Sequence, residues 1–103
     1  HVLVREIRAI EEALRRVSVN GAVTYGMAPI SEAASQGAVE SLIIDASLLR
    51  DEDETSRKKW ESICSEIKSS RGAIIQASTD HDAGQQLLGM GGAIALLRWK
   101  LDH

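Results

Sequence analysis

Two short apolar runs, Ala73–Ala77 and Ala93–Leu97, bracket a polar turn, a helix-like stretch and the glycine cluster Gly89-Met90-Gly91-Gly92. Each run has strand length and no polar alternation, so both read as sheet strands covered on two faces, although periodicity alone does not separate them from a buried helix. Thr79 or Asp80 is positioned to cap the intervening helix and Gly89 to end it. A strand, helix, strand unit of this kind needs further strands beside it and helices over both faces.

The rest of the chain supplies them. Leu3, Ile7, Ile10, Leu14 and Val17 recur at spacings of three and four, which predicts a helix from Val2 to Val17, with Glu11–Arg15 and Glu12–Arg16 as ion pairs on its exposed side. Asn20-Gly21 ends it, and Ala22–Tyr25 is a short strand closed by Gly26. Pro29 fits a first helical turn, Ile30, Ala33 and Ala34 form a small-residue face, and Gly37 is the expected C′ glycine. Val39 to Ile44 reads as a central strand with Asp45 at its exit, followed by a loop through Leu48-Leu49. The acidic run Asp51–Glu54 opens a long helix whose far end carries Lys68 and Arg71, an arrangement that complements the macrodipole. Trp60, Ile63, Cys64 and Ile67 are its buried stripe, and Gly72 is expected to end it.

Helices and strands thus alternate through one domain, residues 1–103. The order predicts an α/β fold: a three-layer α/β/α sandwich around a four-stranded, largely parallel or mixed sheet. A chain of 103 residues buries roughly two thirds of its extended surface without disulfides. A net charge of −3 provides no overall basic field for nucleic acid. The single cysteine, Cys64, permits no internal disulfide framework and fits a reducing compartment. The chain begins at His1 rather than Met, as a fragment of a longer protein would.

Candidate chemical sites are sparse. Asp80-His81-Asp82 offers a histidine between carboxylates, but neighbours at a helix start point in different directions and no HExxH or CxxC completes a site. Capping and dipole complementarity account for the two aspartates. Cys64 sits in the apolar stripe as a core thiol. His1 and His103 are terminal and receive no role. The glycine cluster leaves a helix and enters a strand, the reverse of a phosphate loop, and lacks GxGxxG spacing, so it reads as a structural turn. Trp60 reads as core, whereas Trp99, between Arg98 and Lys100, is a candidate contact residue. No catalytic residue, metal site or cofactor is expected.

Several of these positions also carry a family resemblance. Tyr25-Gly26, Gly37-Ala38-Val39-Glu40 leading into Leu42-Ile43-Ile44, then Ser78, His81, Gly84, Gln86-Leu87 and Gly91–Arg98 resemble the C-terminal domain of the ribosome-rescue factor Pelota. The pattern S-x-x-H-x-x-G-x-Q-L followed by G-G-I/A-x-A-L-L-R looks closer to Pelota than to its relative, the class I peptide release factor of archaea and eukaryotes. Departures are Ala46-Ser47, where a charged pair is frequent, and Ala28-Pro29. The resemblance implies the fold of the kink-turn-binding ribosomal proteins used as a protein-docking module of a cytoplasmic three-domain factor. The implied partners are a translational GTPase of the elongation factor 1-alpha type, an ABC-type ribosome-splitting ATPase and, for the full-length protein, the ribosome. It implies no catalysis here, since the RNA-cleaving activity attributed to the family belongs to an N-terminal domain and the GGQ of release factors is absent.

Of two rival readings, a small enzyme or nucleotide binder lacks any assembled site, and the other is RNA binding by the same fold. Kink-turn binders carry Gly-x-Asn-Glu at the first strand-to-helix junction and a Lys three positions on, whereas this chain has Gly26-Met27-Ala28-Pro29 and Glu32. An anion thus replaces the cation. The expected contact surface is the helix after the acidic run, the loop from Asp80 to Gly84 and the strand end, with His81, Gly84, Gln86, Arg98 and Trp99 as partner-binding residues. On this reading, substituting Arg98, or His81 with Gln86, weakens partner binding and leaves the melting temperature nearly unchanged.

Overall fold

The computed structural model describes residues 2–100. In chain order its elements are α1 (Val2–Ser18), β1 (Val23–Tyr25), α2 (Met27–Ser35), β2 (Val39–Asp45), a 3-10 helix (Ala46–Arg50), α3 (Glu54–Ser69), β3 (Ala73–Ala77), α4 (Asp82–Gly89) and β4 (Ala93–Leu97). The two terminal histidines and the side chain of Leu3 lie outside the described residues.

The strands form one mixed sheet in the order β1-β4-β2-β3. β2 and β3 are parallel, joined by the α3 crossover, while β4 runs antiparallel to both β1 and β2. Side chains alternate between faces, as a pleated strand dictates. Leu42, Ile44, Ala95 and Leu97 pack under α2 and α3 with Ile30, Trp60 and Ile67. Ile43, Ile94 and Leu96 pack under α1 and α4 with Ile10, Ala13 and Leu87. The result is the expected three-layer sandwich.

The two apolar runs have different fates. β4 is buried along its whole length, as a central strand should be. β3 lies at the edge, with Ile74 and Ile75 half-buried and Gln76 exposed. Apolar content does not distinguish the two, because edge position follows from β4 inserting between β1 and β2. A bulge between Val39 and Ser41 sets Glu40 apart from the ladder and leaves it exposed.

Element ends correct several local expectations. Glu12 takes both arginines: its carboxylate receives Arg15 through Nε at 2.9 Å and Nη2 at 2.8 Å, and Arg16 Nε at 2.8 Å, while Glu11 remains exposed. The reason is geometric: Arg16 is held by the Ala22 and Leu97 carbonyls, and Arg15 gains a bidentate contact at i+3. These contacts, with the Arg15 hydrogen bond the largest, lower the Glu12 carboxyl from its ordinary 4.5 to about 2. A depressed carboxyl stabilises the fold above its unfolded-state value, and that contribution disappears as pH falls from about 4.5 to about 2. Glu12→Gln is therefore expected to melt below the parent at neutral pH, with the gap closing across that acid window in thermal unfolding followed by circular dichroism.

The Leu48-Leu49 segment is a 3-10 helix rather than open loop, because the Asp45 carboxylate caps it, accepting from Ser47 N at 3.2 Å and Ser47 Oγ at 2.7 Å. Only Glu54 of the acidic run enters α3; Asp53 is the N-cap, and Asp51 accepts from the Asp53 N–H at 2.9 Å. At the other end Arg71, not Gly72, takes the left-handed conformation, with φ 68. Gly72 is needed for close approach, since a Cβ there would lie 2.6 Å from Ile67 Cγ2 and 2.7 Å from the Val39 carbonyl. α4 is capped by His81 instead of Thr79 or Asp80, and it continues through Gly89 to a turn in which Gly91 has φ 93 and the Gly92 N–H donates to the Leu87 carbonyl at 2.9 Å. Gly37 (φ 66) closes α2 as expected. Burial pushes the Cys64 thiol up, in keeping with a core position.

Candidate functional site

The expected contact residues divide between opposite ends of the sheet. α4 begins beyond the C-terminal end of β3, whereas Arg98 follows β4, whose end lies beside the start of β2. Five residues of strand, roughly 16 Å at the usual rise, separate the two groups.

At the first end, His81 is a structural joint. Its Nδ1 accepts the Gly84 N–H at 3.0 Å, so the neutral ring carries its proton on Nε2, which lies 3.5 Å from Glu6 Oε2. That Nε2 is buried and, among the described residues, has no hydrogen-bond partner. The same Glu6 oxygen accepts the Ser78 N–H at 3.3 Å, and Gln85 Nε2 donates to the Thr79 carbonyl at 2.7 Å. Glu6 thus brings α1 against the exit of β3. Gly84 is buried, and its missing Cβ is what lets α4 lie on the Ser78–Thr79 backbone. Of the expected residues here, Gln86 alone faces solvent, with exposed Leu88 on the same helix.

At the second end, the Arg98 guanidinium donates to the Ser70 carbonyl at 2.6 Å and the Gly37 carbonyl at 3.4 Å, while its backbone N–H donates to the Ala38 carbonyl at 2.8 Å. Ser70 is the C-cap of α3, so this cation sits where the helix dipole favours it. Trp99 beside it is 48% exposed.

The geometry revises what substitutions should do. His81→Ala removes the α4 cap and Arg98→Ala the link between two helix ends, each costing about 1 kcal/mol and roughly 5 °C in melting temperature. Gln86→Ala and Trp99→Ala should leave thermal unfolding unchanged. Those two are the clean probes of a contact surface.

A feature the residue pattern did not single out lies between α2 and α3. One groove of about 360 Å³ is lined by Met27, Ala28, Ser31, Lys59, Ser62 and Glu66 among others. A second, of about 380 Å³, continues past Glu66 to Ser69, Ser70 and Gly37, beside Arg98. Small side chains on both helices leave this space open; the Ala and Ser spacing along α2 was the available signal. The groove begins at the Gly26–Pro29 junction, where Gly26 has φ 90 and gives α2 no side-chain cap. Met27 and Ala28 present apolar surface there. Among the described residues no group of three or more His, Cys, Asp or Glu is arranged to hold a metal, and no helix is long and apolar enough to cross a membrane.

Comparison with known proteins aligns with this architecture. Residues 3–101 match the family described as eRF1 domain 3. The Pelota homologue of Pyrococcus furiosus is 36% identical over 94% of this chain, and that of Thermococcus onnurineus 37% identical over 94%. The chain spans 26% and 27% of the length of these relatives. Among solved structures, Archaeoglobus fulgidus Pelota superposes with a TM-score of 0.85 at 28% identity, over 99% of this chain and 32% of that one. Archaeal Pelota described as ribosome-bound with ABCE1 gives a TM-score of 0.81 at 34% identity, over 97% of this chain and 28% of that one. Saccharomyces cerevisiae Dom34, described as a termination-like factor of RNA quality control that interacts with Hbs1, shares the fold with a TM-score of 0.89 at 23% identity, over 95% and 28% of the two chains.

Proposed function

The chain belongs to the eRF1 domain 3 family, and from that premise we propose that it is the C-terminal, protein-docking domain of a Pelota-type ribosome-rescue factor working in the cytoplasm. Its partners in this reading are a translational GTPase of the elongation factor 1-alpha type and an ABC-type ribosome-splitting ATPase. The ribosome is engaged by the whole factor. The archaeal Pelota described with ABCE1 on the ribosome supports the ATPase, and Dom34 with Hbs1 is the parallel for the GTPase. The domain performs no catalysis of its own.

The observation that carries docking over RNA binding is the β1–α2 junction. Where a kink-turn binder places amide and carboxylate groups against bases, this chain places Met27 and Ala28 at the mouth of a groove, with Glu32 one turn on in place of a cation. A surface of small and apolar side chains bordered by Lys59 and Glu66 suits a partner protein and offers too little positive charge to hold a phosphate backbone.

The test is capture on immobilised domain of three candidates: the GTP-loaded GTPase, the ATPase and a kink-turn RNA. Either protein should be retained and the RNA lost in the wash, and exposed Ser62→Arg, which fills the groove, should release the protein without altering the melting temperature. Tight, salt-sensitive retention of the RNA would overturn the reading.

A further inference from the structure

β3 is an open edge without the usual defences. Its sequence, Ala73-Ile74-Ile75-Gln76-Ala77, has no charge, proline or bulge, and its sole ladder among the described residues is with β2. Beside it lies a groove of about 670 Å³ between the strand and α3, lined among others by Glu61, Cys64, Ser65, Lys68, Ile74 and Gln76. A smaller space on the opposite face is lined by Arg5, Glu6 and the same strand.

We propose that a second copy of this chain occupies the edge, β3 pairing antiparallel with β3 about a two-fold axis at Ile75 and joining the two four-stranded sheets into one. The charges around the edge select this occupant. Glu61 and Lys68 are two helical turns apart on the groove side of α3, and both are exposed. A two-fold axis midway between them, at Cys64 and Ser65, sets each Lys68 against the other copy's Glu61. The same axis meets β3 at Ile75, midway between the groove-lining Ile74 and Gln76, so a single operator satisfies helix and strand together. Outside the strand it brings Arg71 of each copy towards Thr79 and Asp80 of the other. Because α3 packs over both β2 and β3, strands about 4.8 Å apart leave the two α3 helices about 10 Å apart, a spacing at which helices pack. The contact is small, so the dimer is weak and concentration-dependent.

Sedimentation equilibrium from about 10 µM to about 1 mM tests it, the range a small interface calls for. The expected result is a reversible monomer–dimer equilibrium. Gln76→Lys, at an exposed position, places a lysine on the edge and should weaken association at least about tenfold. Lys68→Glu should weaken it by about tenfold, and the charge-swapped pair Glu61→Lys with Lys68→Glu should return it to within about threefold of the parent. Circular dichroism checks that all variants are folded. A chain that is monomeric throughout the range overturns the proposal, as does a dimer indifferent to these substitutions. So does a monomer whose β3 amides are protected from exchange only when the GTPase or ATPase is added, which would assign the edge to that partner. The outcome is independent of the docking reading, whose test uses the α2–α3 groove.

Discussion

Replacing Gly84 with alanine is expected to lower the unfolding free energy by about 3 kcal/mol, the upper part of the range for overpacking, and the melting temperature by roughly 15 °C. The added Cβ would run into the Ser78 carbonyl oxygen and lie 2.8 Å from Thr79 Cα, both backbone atoms. No rotamer change relieves such a contact. α4 must lift from the loop, which breaks the His81 cap and the Gln85–Thr79 hydrogen bond together. Gly89→Ala in the same helix is the control, because among the described residues no atom outside its chain neighbours and its own helix backbone lies within 4 Å of the place its methyl would take, and φ is not left-handed there. It should stabilise the domain by about 0.5 kcal/mol through the unfolded chain's lost freedom. Urea unfolding of both variants gives opposite signs if packing against the loop is the reason for Gly84.

Ile43→Ala should cost still more, about 4 kcal/mol by the same measurement. Ile43 is fully buried at the middle of β2, facing the α1 and α4 layer with Ile10, Leu87 and Ile94. Its neighbours come from two helices and an adjacent strand, so collapse of any one of them into the void strains the others. Ile43→Val, which removes one methylene, should cost about 1 kcal/mol. For a domain whose total stability is of order 10 kcal/mol, the alanine variant gives up a large share of it.

The architecture was legible because periodicity and punctuation agree along most of the chain. The apolar faces of α1, α2 and α3 and the continuous apolar run of β2 are where their spacing places them, and Asn20, Gly26 and Gly37 mark turns that need positive φ. What sequence did not reveal depended on which strands become neighbours. β3 and β4 have similar composition, yet one is an edge and the other central, since pairing is decided by topology and not by the strand itself. Caps misled for a related reason. Thr79, Asp80 and His81 are all able to accept an amide, and the choice of His81 follows from Gly84 fitting under the loop and Glu6 arriving from another helix.

The candidate site was legible in part. His81, Gly84 and Arg98 carry the family pattern but serve the fold, through a cap, a close approach and a clamp on carbonyls. Gln86 and Trp99 are the exposed remainder. A residue pattern that resembles a family marks positions where backbone geometry is demanding as readily as positions where a partner touches. The α2–α3 groove, in contrast, is made by small residues that attract no notice in a sequence.

The place of β4 bears on how the domain comes into being on the ribosome that makes it. Among the described residues the strand latest in the sequence is the one that joins β1 to β2, and β1 is hydrogen-bonded to no other strand. A nascent chain that has emerged only as far as Met90 holds a β2–β3 pair and helices, but no sheet able to seat β1. β1 must therefore wait until Ala93–Leu97 is free to enter the centre, whereas α1 can already meet the exit of β3 through Glu6. Closure of the sheet during translation is then a late event, and a message truncated within β4 yields a product whose sheet lacks the strand that joins β1 to β2.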